Sequence, residues 1–171
     1  MNEQSFLRRD AGSQRSRWYF AYGSNMNPAR VTARGLEFRR AIRGWLPGWG
    51  MRFNKQSKDH PDCGHANLIA TPANRGQAQP EVAEGVLYEL TDFTMILRMD
   101  PYERAPINYS RECIWVQSDQ GPIATWTYFA NPALLQENLR PSRAYLDHLL
   151  AGKPFLSPSY YSMLTQQTVS E

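Results

Sequence analysis

Trp18 to Tyr22 reads WYFAY, a run of aromatic residues broken only by alanine, the pattern of a strand buried on both faces. Gly23 is the first position behind it that permits a sharp turn. Asn27-Pro28 joins a preferred N-cap to a residue favoured in the first helical turn, which predicts a helix from Pro28 towards Arg34. From Ala41 to Asn54 the apolar residues are interrupted by Gly44, Pro47, Gly48 and Gly50, predicting short strands about a turn. His65 to Thr71 repeats the strand pattern through Ala66, Leu68 and Ile69; Pro72 to Pro80 reads as a loop, and Val82 to Leu90 resumes the sheet.

Thr91 is placed to cap a helix in which Phe93, Ile96 and Leu97 share one face until Pro101 ends it, so Glu103 is expected just past a helix end. Tyr109 to Gln117 and Ile123 to Phe129 are β-rich runs joined through Ser118-Asp119-Gln120-Gly121-Pro122, residue types that predict a hairpin. An amphipathic helix from Ser142 to Leu150 and a shorter one from Ser159 to Leu164 close the chain, which contains no internal repeat.

The 171 residues suit one domain. Residues 1–16 mix polar, charged and small types without periodicity and are expected to form a disordered leader, leaving residues 17–171 as the folded domain. No apolar run is long enough to cross a membrane as a helix, and the N-terminus lacks a secretory core, so the expected location is cytoplasmic with no membrane partner. Cys63 and Cys113 are expected to be free thiols. The net charge of +3 owes much to the first 17 residues, which carry four Arg against Glu3 and Asp10. The body alternates a basic stretch from Arg30 to Lys58 with an acidic one from Glu81 to Glu103, a patterning that favours a solvated basic face over a nucleic-acid site.

Candidate chemistry starts at Tyr22-Gly23-Ser24-Asn25-Met26-Asn27, a strand-to-helix connection whose backbone N–H groups are free to converge on an anion. Four further segments accompany it: GWLPGWGMRF from Gly44 to Phe53, EGVLYEL from Glu84 to Leu90, MDPYE from Met99 to Glu103, and the run from Tyr109 to Val116. Together with FAYGSN from Phe20 to Asn25, and in this order, they resemble the γ-glutamylcyclotransferase (AIG2-like) family, from Trp18 to about Leu164. The resemblance implies an α+β fold, a small mixed, mainly antiparallel barrel-like sheet flanked by helices. It also implies conversion of a γ-glutamyl amino acid or γ-glutamylamine to 5-oxoproline and a free amine.

In such a substrate the α-amino nitrogen attacks the molecule's own side-chain carbonyl, so neither a metal, a cofactor nor a nucleophilic Ser or Cys is required. What is required is a folded substrate and a proton carrier. By the resemblance Glu103 is the catalytic acid-base, the backbone of Tyr22 to Asn27 holds the glutamyl group, and Tyr145, in the segment Pro141 to Tyr145, contacts substrate. Arg104 stands beside Glu103, and an ion pair between them would lower the carboxyl's pKa and weaken it as a base.

Other constellations are weaker. His60-Pro61-Asp62-Cys63-Gly64-His65 matches no common closed zinc spacing, and Ser24 lacks the G-x-S-x-G setting of a serine nucleophile. Trp45, Trp49 and Phe53, interleaved with Arg43 and Arg52, read as core rather than as a nucleic-acid stacking surface. The remaining alternative is a catalytically silent relative that binds a small molecule, and a monomer or weak homodimer is expected.

Overall fold

The computed structural model describes residues 16–71 and 80–170. The aromatic run forms β1 (Trp18–Ala21), and it lies at the centre of a five-stranded sheet. β2 (Phe38–Pro47) and β3 (Trp49–Gln56) follow, hinged at Gly48, whose φ of 77° is left-handed and suits glycine. β4 (Gly64–Ala70) pairs antiparallel with β3 as a separate two-stranded sheet. β5 (Val82–Leu90), β6 (Tyr109–Val116) and β7 (Ile123–Ala130) complete the larger sheet in the order β2-β5-β1-β7-β6. All its pairings are antiparallel except β1 with β7.

The outer strands of that sheet meet. Trp45 and Gln117 exchange two backbone hydrogen bonds of 3.0 and 2.9 Å, which ties β2 to the chain leaving β6 and rolls the sheet towards a barrel. Phe20, Val86, Leu87, Tyr88 and Val116, from both faces of its strands, are fully buried. Each large apolar side chain so placed contributes about 1.5–3 kcal/mol. This is the mixed, mainly antiparallel barrel-like sheet that the resemblance implies.

Helices cover its ends. In α1 (Pro28–Ala33) the Asn27 side chain accepts from the N–H groups of Ala29 and Arg30, satisfying donors that the first turn cannot pair internally. One turn of helix, α2 (Asp100–Glu103), precedes β6. α3 (Arg143–Leu150) and α4 (Pro158–Thr165) are capped by Ser142 and Ser157, whose hydroxyls accept from the N–H groups of Tyr145 and Tyr160. Among the described residues no helix is long and apolar enough to cross a membrane.

The segment after β5 departs from the sequence reading. Thr91 caps nothing; the Asp92 carboxylate instead receives the N–H and hydroxyl of Thr94 and seeds only a short 3-10 turn over Met95–Arg98. Phe93 and Leu97, expected on a buried face, are 45% and 51% exposed, while Met95, Ile96 and Met99 point into the core. Pro101 does not end a helix but begins α2, where its missing N–H costs nothing. Glu103 is therefore the last residue of a helix rather than a residue beyond one.

The leader assigned to residues 1–16 and the loop from Pro72 to Pro80 fall almost wholly outside the described residues. Ser16 is the exception at the first boundary: it is buried, its hydroxyl donates to the Ala124 carbonyl at 2.6 Å, and it accepts from the Trp18 N–H. Neither cysteine forms a disulfide, and the Cys63 sulfur lies 3.0 Å from the Ser170 hydroxyl.

Candidate active site

Gly23 leaves β1 and hands the chain to a 3-10 turn over Ser24–Met26. Its φ is negative, so glycine is not required there for a left-handed turn; it is required by close approach. A β-carbon on Gly23 would stand 3.0 Å from the Tyr145 hydroxyl and 3.1 Å from the Ala66 side chain. The turn's first internal bond runs from the Met26 N–H to the Gly23 carbonyl, which leaves the N–H groups of Ser24 and Asn25 without an acceptor inside the turn.

Glu103 meets this turn from the other side of the cleft. Its carboxylate accepts from the Asn25 side-chain amide at 2.8 Å, and the Arg34 guanidinium lies 3.6 Å from the same oxygen. Arg34 also donates to the Asn25 side-chain oxygen at 2.8 Å, and the Asn25 amide donates to the Tyr19 hydroxyl at 2.8 Å. Every polar atom of the Asn25 side chain is thus engaged, which fixes the amide's orientation. Tyr88 donates to the Asn25 backbone carbonyl at 2.8 Å and anchors the turn itself.

The short α2 is pinned by Asp100. One carboxylate oxygen accepts from the Tyr128 hydroxyl at 2.7 Å and the other from Arg111 at 2.8 Å, joining the helix start to both strands of the β6–β7 hairpin. This is the role of the first acid in the Asp-x-x-Glu element: it sets where Glu103 sits.

Tyr19, Phe20, Tyr22, Gly23, Ser24 and Asn25 line a narrow cleft with Ala66, Glu103, Tyr109, Thr127, Tyr128 and Tyr145. The Tyr145 hydroxyl accepts from the Ala66 N–H at 3.0 Å, and the Tyr109 hydroxyl donates to the Ala66 carbonyl at 3.0 Å. Burial pushes the hydroxyls of Tyr19, Tyr22 and Tyr109 well above their usual pKa, and that of Tyr145 up to about 12, so all four are neutral at pH 7.

Burial also raises the Glu103 carboxyl above the ordinary glutamate value; Arg34, the Asn25 amide, Arg30 and Lys55 oppose the rise. The Glu103 side chain remains 16% exposed, so it is sheltered but reachable. Arg104 does not play the part expected of it. It takes a left-handed φ of 49° that ends α2, it is exposed, and the guanidinium beside Glu103 is that of Arg34.

Of the residues singled out in the sequence, the structure brings Tyr22, Gly23, Ser24, Asn25, Glu103 and Tyr145 to one cleft. Met26 and Asn27 lie outside it. Met26 is fully buried in the core, and its N–H is spent on Gly23; the Asn27 side chain caps α1 and touches His148. Arg34, Tyr19, Tyr109 and Asp100 were not singled out as site residues, and His65, weighed only as a metal ligand, stacks its ring on Tyr145 at 4.5 Å between centroids. Only the spacing of Asp100 to Glu103 carried a local signal for any of them.

A sheet rolled on itself, with one carboxylate held in a tyrosine-lined cleft, makes this a barrel-like α+β domain with a sheltered acid at one end. The chain belongs to the γ-glutamyl cyclotransferase, AIG2-like family, whose profile matches residues 19–147. No curated protein is significantly similar to it in sequence. Among solved structures it is similar to a γ-glutamyl cyclotransferase (19% identity, TM-score 0.72, covering 90% of this chain and 89% of that one). It is likewise similar to an uncharacterised Homo sapiens protein (20%, 0.75, 93% and 91%) and to YkqA from Bacillus subtilis (19%, 0.74, 98% and 60%).

Proposed function

We propose that the protein cyclises a γ-glutamyl compound to 5-oxoproline and releases a free amine, with Glu103 as the proton carrier. The observation that supports this most is the single sheltered carboxylate, raised in pKa and held by Asn25 beside Arg34 in a cleft of neutral tyrosines. An α-ammonium group titrates near 7.7–8.0 in model compounds, and a carboxylate raised from its ordinary range is better matched to accept that proton.

In this reading the deprotonated α-nitrogen attacks the γ-carbonyl carbon, forming the lactam C–N bond. The amide C–N bond then breaks, and the proton taken by Glu103 passes to the departing nitrogen. No water or cofactor is consumed. The oxygen that becomes negative in between is met by donors fixed in advance, the Asn25 N–H and the Tyr145 hydroxyl, which the Ser24 and Ala66 N–H groups orient. Ser24 binds and does not attack.

Incubation of the purified protein with a panel of γ-glutamyl amino acids and γ-glutamylamines, with 5-oxoproline quantified by mass spectrometry, tests the proposal. Release by the wild type and not by Glu103→Gln is the expected result. No release from any of them would leave a small-molecule binding module as the better description.

A further inference from the structure

Lys55 lies on β3 and is only 3% exposed, yet among the described residues its ammonium has neither a hydrogen-bond acceptor nor an ion-pair partner. A lysine is seldom buried without a partner, because the lost hydration costs several kcal/mol. The reason it points inwards is local. Arg52 faces Asn67 and Lys55 faces His65, so two residues of β3, Phe53 and Asn54, stand opposite Ala66 alone. That bulge breaks the alternation of the strand, and Phe53, Asn54 and Lys55 are buried in succession.

The ammonium rests 5.6 Å from the centroid of Tyr109, a wall of the cleft, and its charged neighbours are Glu103, Arg104 and Asp59. On the other flank of Glu103 stand Arg34 and Arg30. Arg34 is engaged by Asn25 and Glu103, and a guanidinium nitrogen of Arg30 lies 2.9 Å from the His148 ring. Three cations surround one carboxylate, and among the described residues Lys55 is the one of them whose charged group has no hydrogen-bond contact.

If the glutamyl half is held at the Ser24–Asn25 turn and Glu103 reaches the scissile nitrogen, the released amine extends beyond Glu103. We propose that Lys55 receives a carboxylate carried by that leaving group, so that the preferred substrates are γ-glutamyl amino acids rather than γ-glutamylamines. This rests on the cyclisation reading above. A substrate without the second carboxylate leaves the sheltered ammonium unpaired, an arrangement that discriminates between otherwise matched ligands.

γ-Glutamylalanine and γ-glutamylethylamide differ only by that carboxylate, and kcat and KM for 5-oxoproline release from each test the inference. The wild type is expected to favour γ-glutamylalanine by at least about tenfold in kcat/KM. Lys55→Met is expected to lose at least about tenfold of that preference, through KM for γ-glutamylalanine, and Lys55→Arg to recover most of it. Lys55→Gln is measured alongside, so that a folding defect in one variant does not decide the result. A wild type that treats both substrates alike overturns the inference, as does an equal loss on both in the folded variants. Release from neither substrate by the wild type overturns this inference alone when another γ-glutamyl compound of the panel is turned over, and the cyclisation reading with it when none is.

Discussion

The Asn25 side chain donates to Glu103 with its nitrogen and accepts from Arg34 with its oxygen, both at 2.8 Å, so one amide carries the guanidinium's influence to the carboxylate. Asn25→Asp replaces the donor with a second carboxylate. Like charges at that distance resist joint ionisation and push the pair's protonation upwards. The acid limb of the pH–rate profile should move to higher pH, and kcat/KM at pH 7 should fall about a hundredfold. An unchanged acid limb would disconnect Asn25 from the acid-base group.

Glu103→Gln should abolish 5-oxoproline release, a loss of about a hundredfold or more, and yet raise the melting temperature at pH 7. The folded carboxyl has a raised pKa, so the folded state favours its protonated form. That preference stabilises the protein at low pH and turns into a penalty as pH rises through the folded pKa. Gln mimics the protonated form and should add a few degrees at neutral pH and nothing under acid conditions. Calorimetric melting across pH 4 to 8 would settle it, and a variant less stable at pH 7 would contradict the raised pKa.

His65 predicts the opposite slope. Burial and the cations Lys55, Arg30 and Arg34 depress its pKa from 6.5 to about 4, with only Asp59 opposing. Below pH 6.5 the unfolded chain takes up a proton that the folded protein refuses, so stability falls from pH 6.5 to about 4, by about 3 kcal/mol in all. His65→Phe keeps the ring stacked on Tyr145 and should flatten this part of the denaturant-derived stability profile.

Gly23→Ala forces a methyl to within 3.0 Å of the Tyr145 hydroxyl. Overpacking of this kind costs about 1–3 kcal/mol. Because the yielding groups line the cleft, the activity should suffer as well as the melting temperature. Tyr145→Phe removes the hydroxyl and, with it, the proposed donor; about a tenfold to hundredfold fall in kcat is expected. Combining the two replacements should recover part of the stability lost in Gly23→Ala, and strictly additive losses would place the strain elsewhere.

Where local chemistry decides structure, the sequence was readable. Asn27-Pro28, Ser142 and the Ser118–Pro122 turn announced their helices and hairpin, because caps and turns act over a few residues. The stretch from Thr91 to Glu103 was not, since its apolar spacing suits a helix and only the Asp92–Thr94 bonds and the Arg111–Asp100–Tyr128 chain make it a short turn followed by a pinned α2. The YGSN turn and Glu103 emerged from the resemblance. Arg34 and Tyr19 acquire a role only once Glu103, far along the chain, meets the Asn25 amide that both of them bond, and Lys55 comes near through a bulge that hides the strand's alternation.

The bonds between Trp45 and Gln117 bear on how the chain assembles. β2 and β6 come together only after β5, β1 and β7 have been laid between them, so these two hydrogen bonds belong among the last to form. Until they do, each outer strand offers an unpaired row of amides to any neighbour, including another copy of the same half-built sheet. The barrel's seam is accordingly the point at which folding and self-association compete, and weakening it should show first in the yield of refolding at high concentration rather than in the chemistry of the cleft.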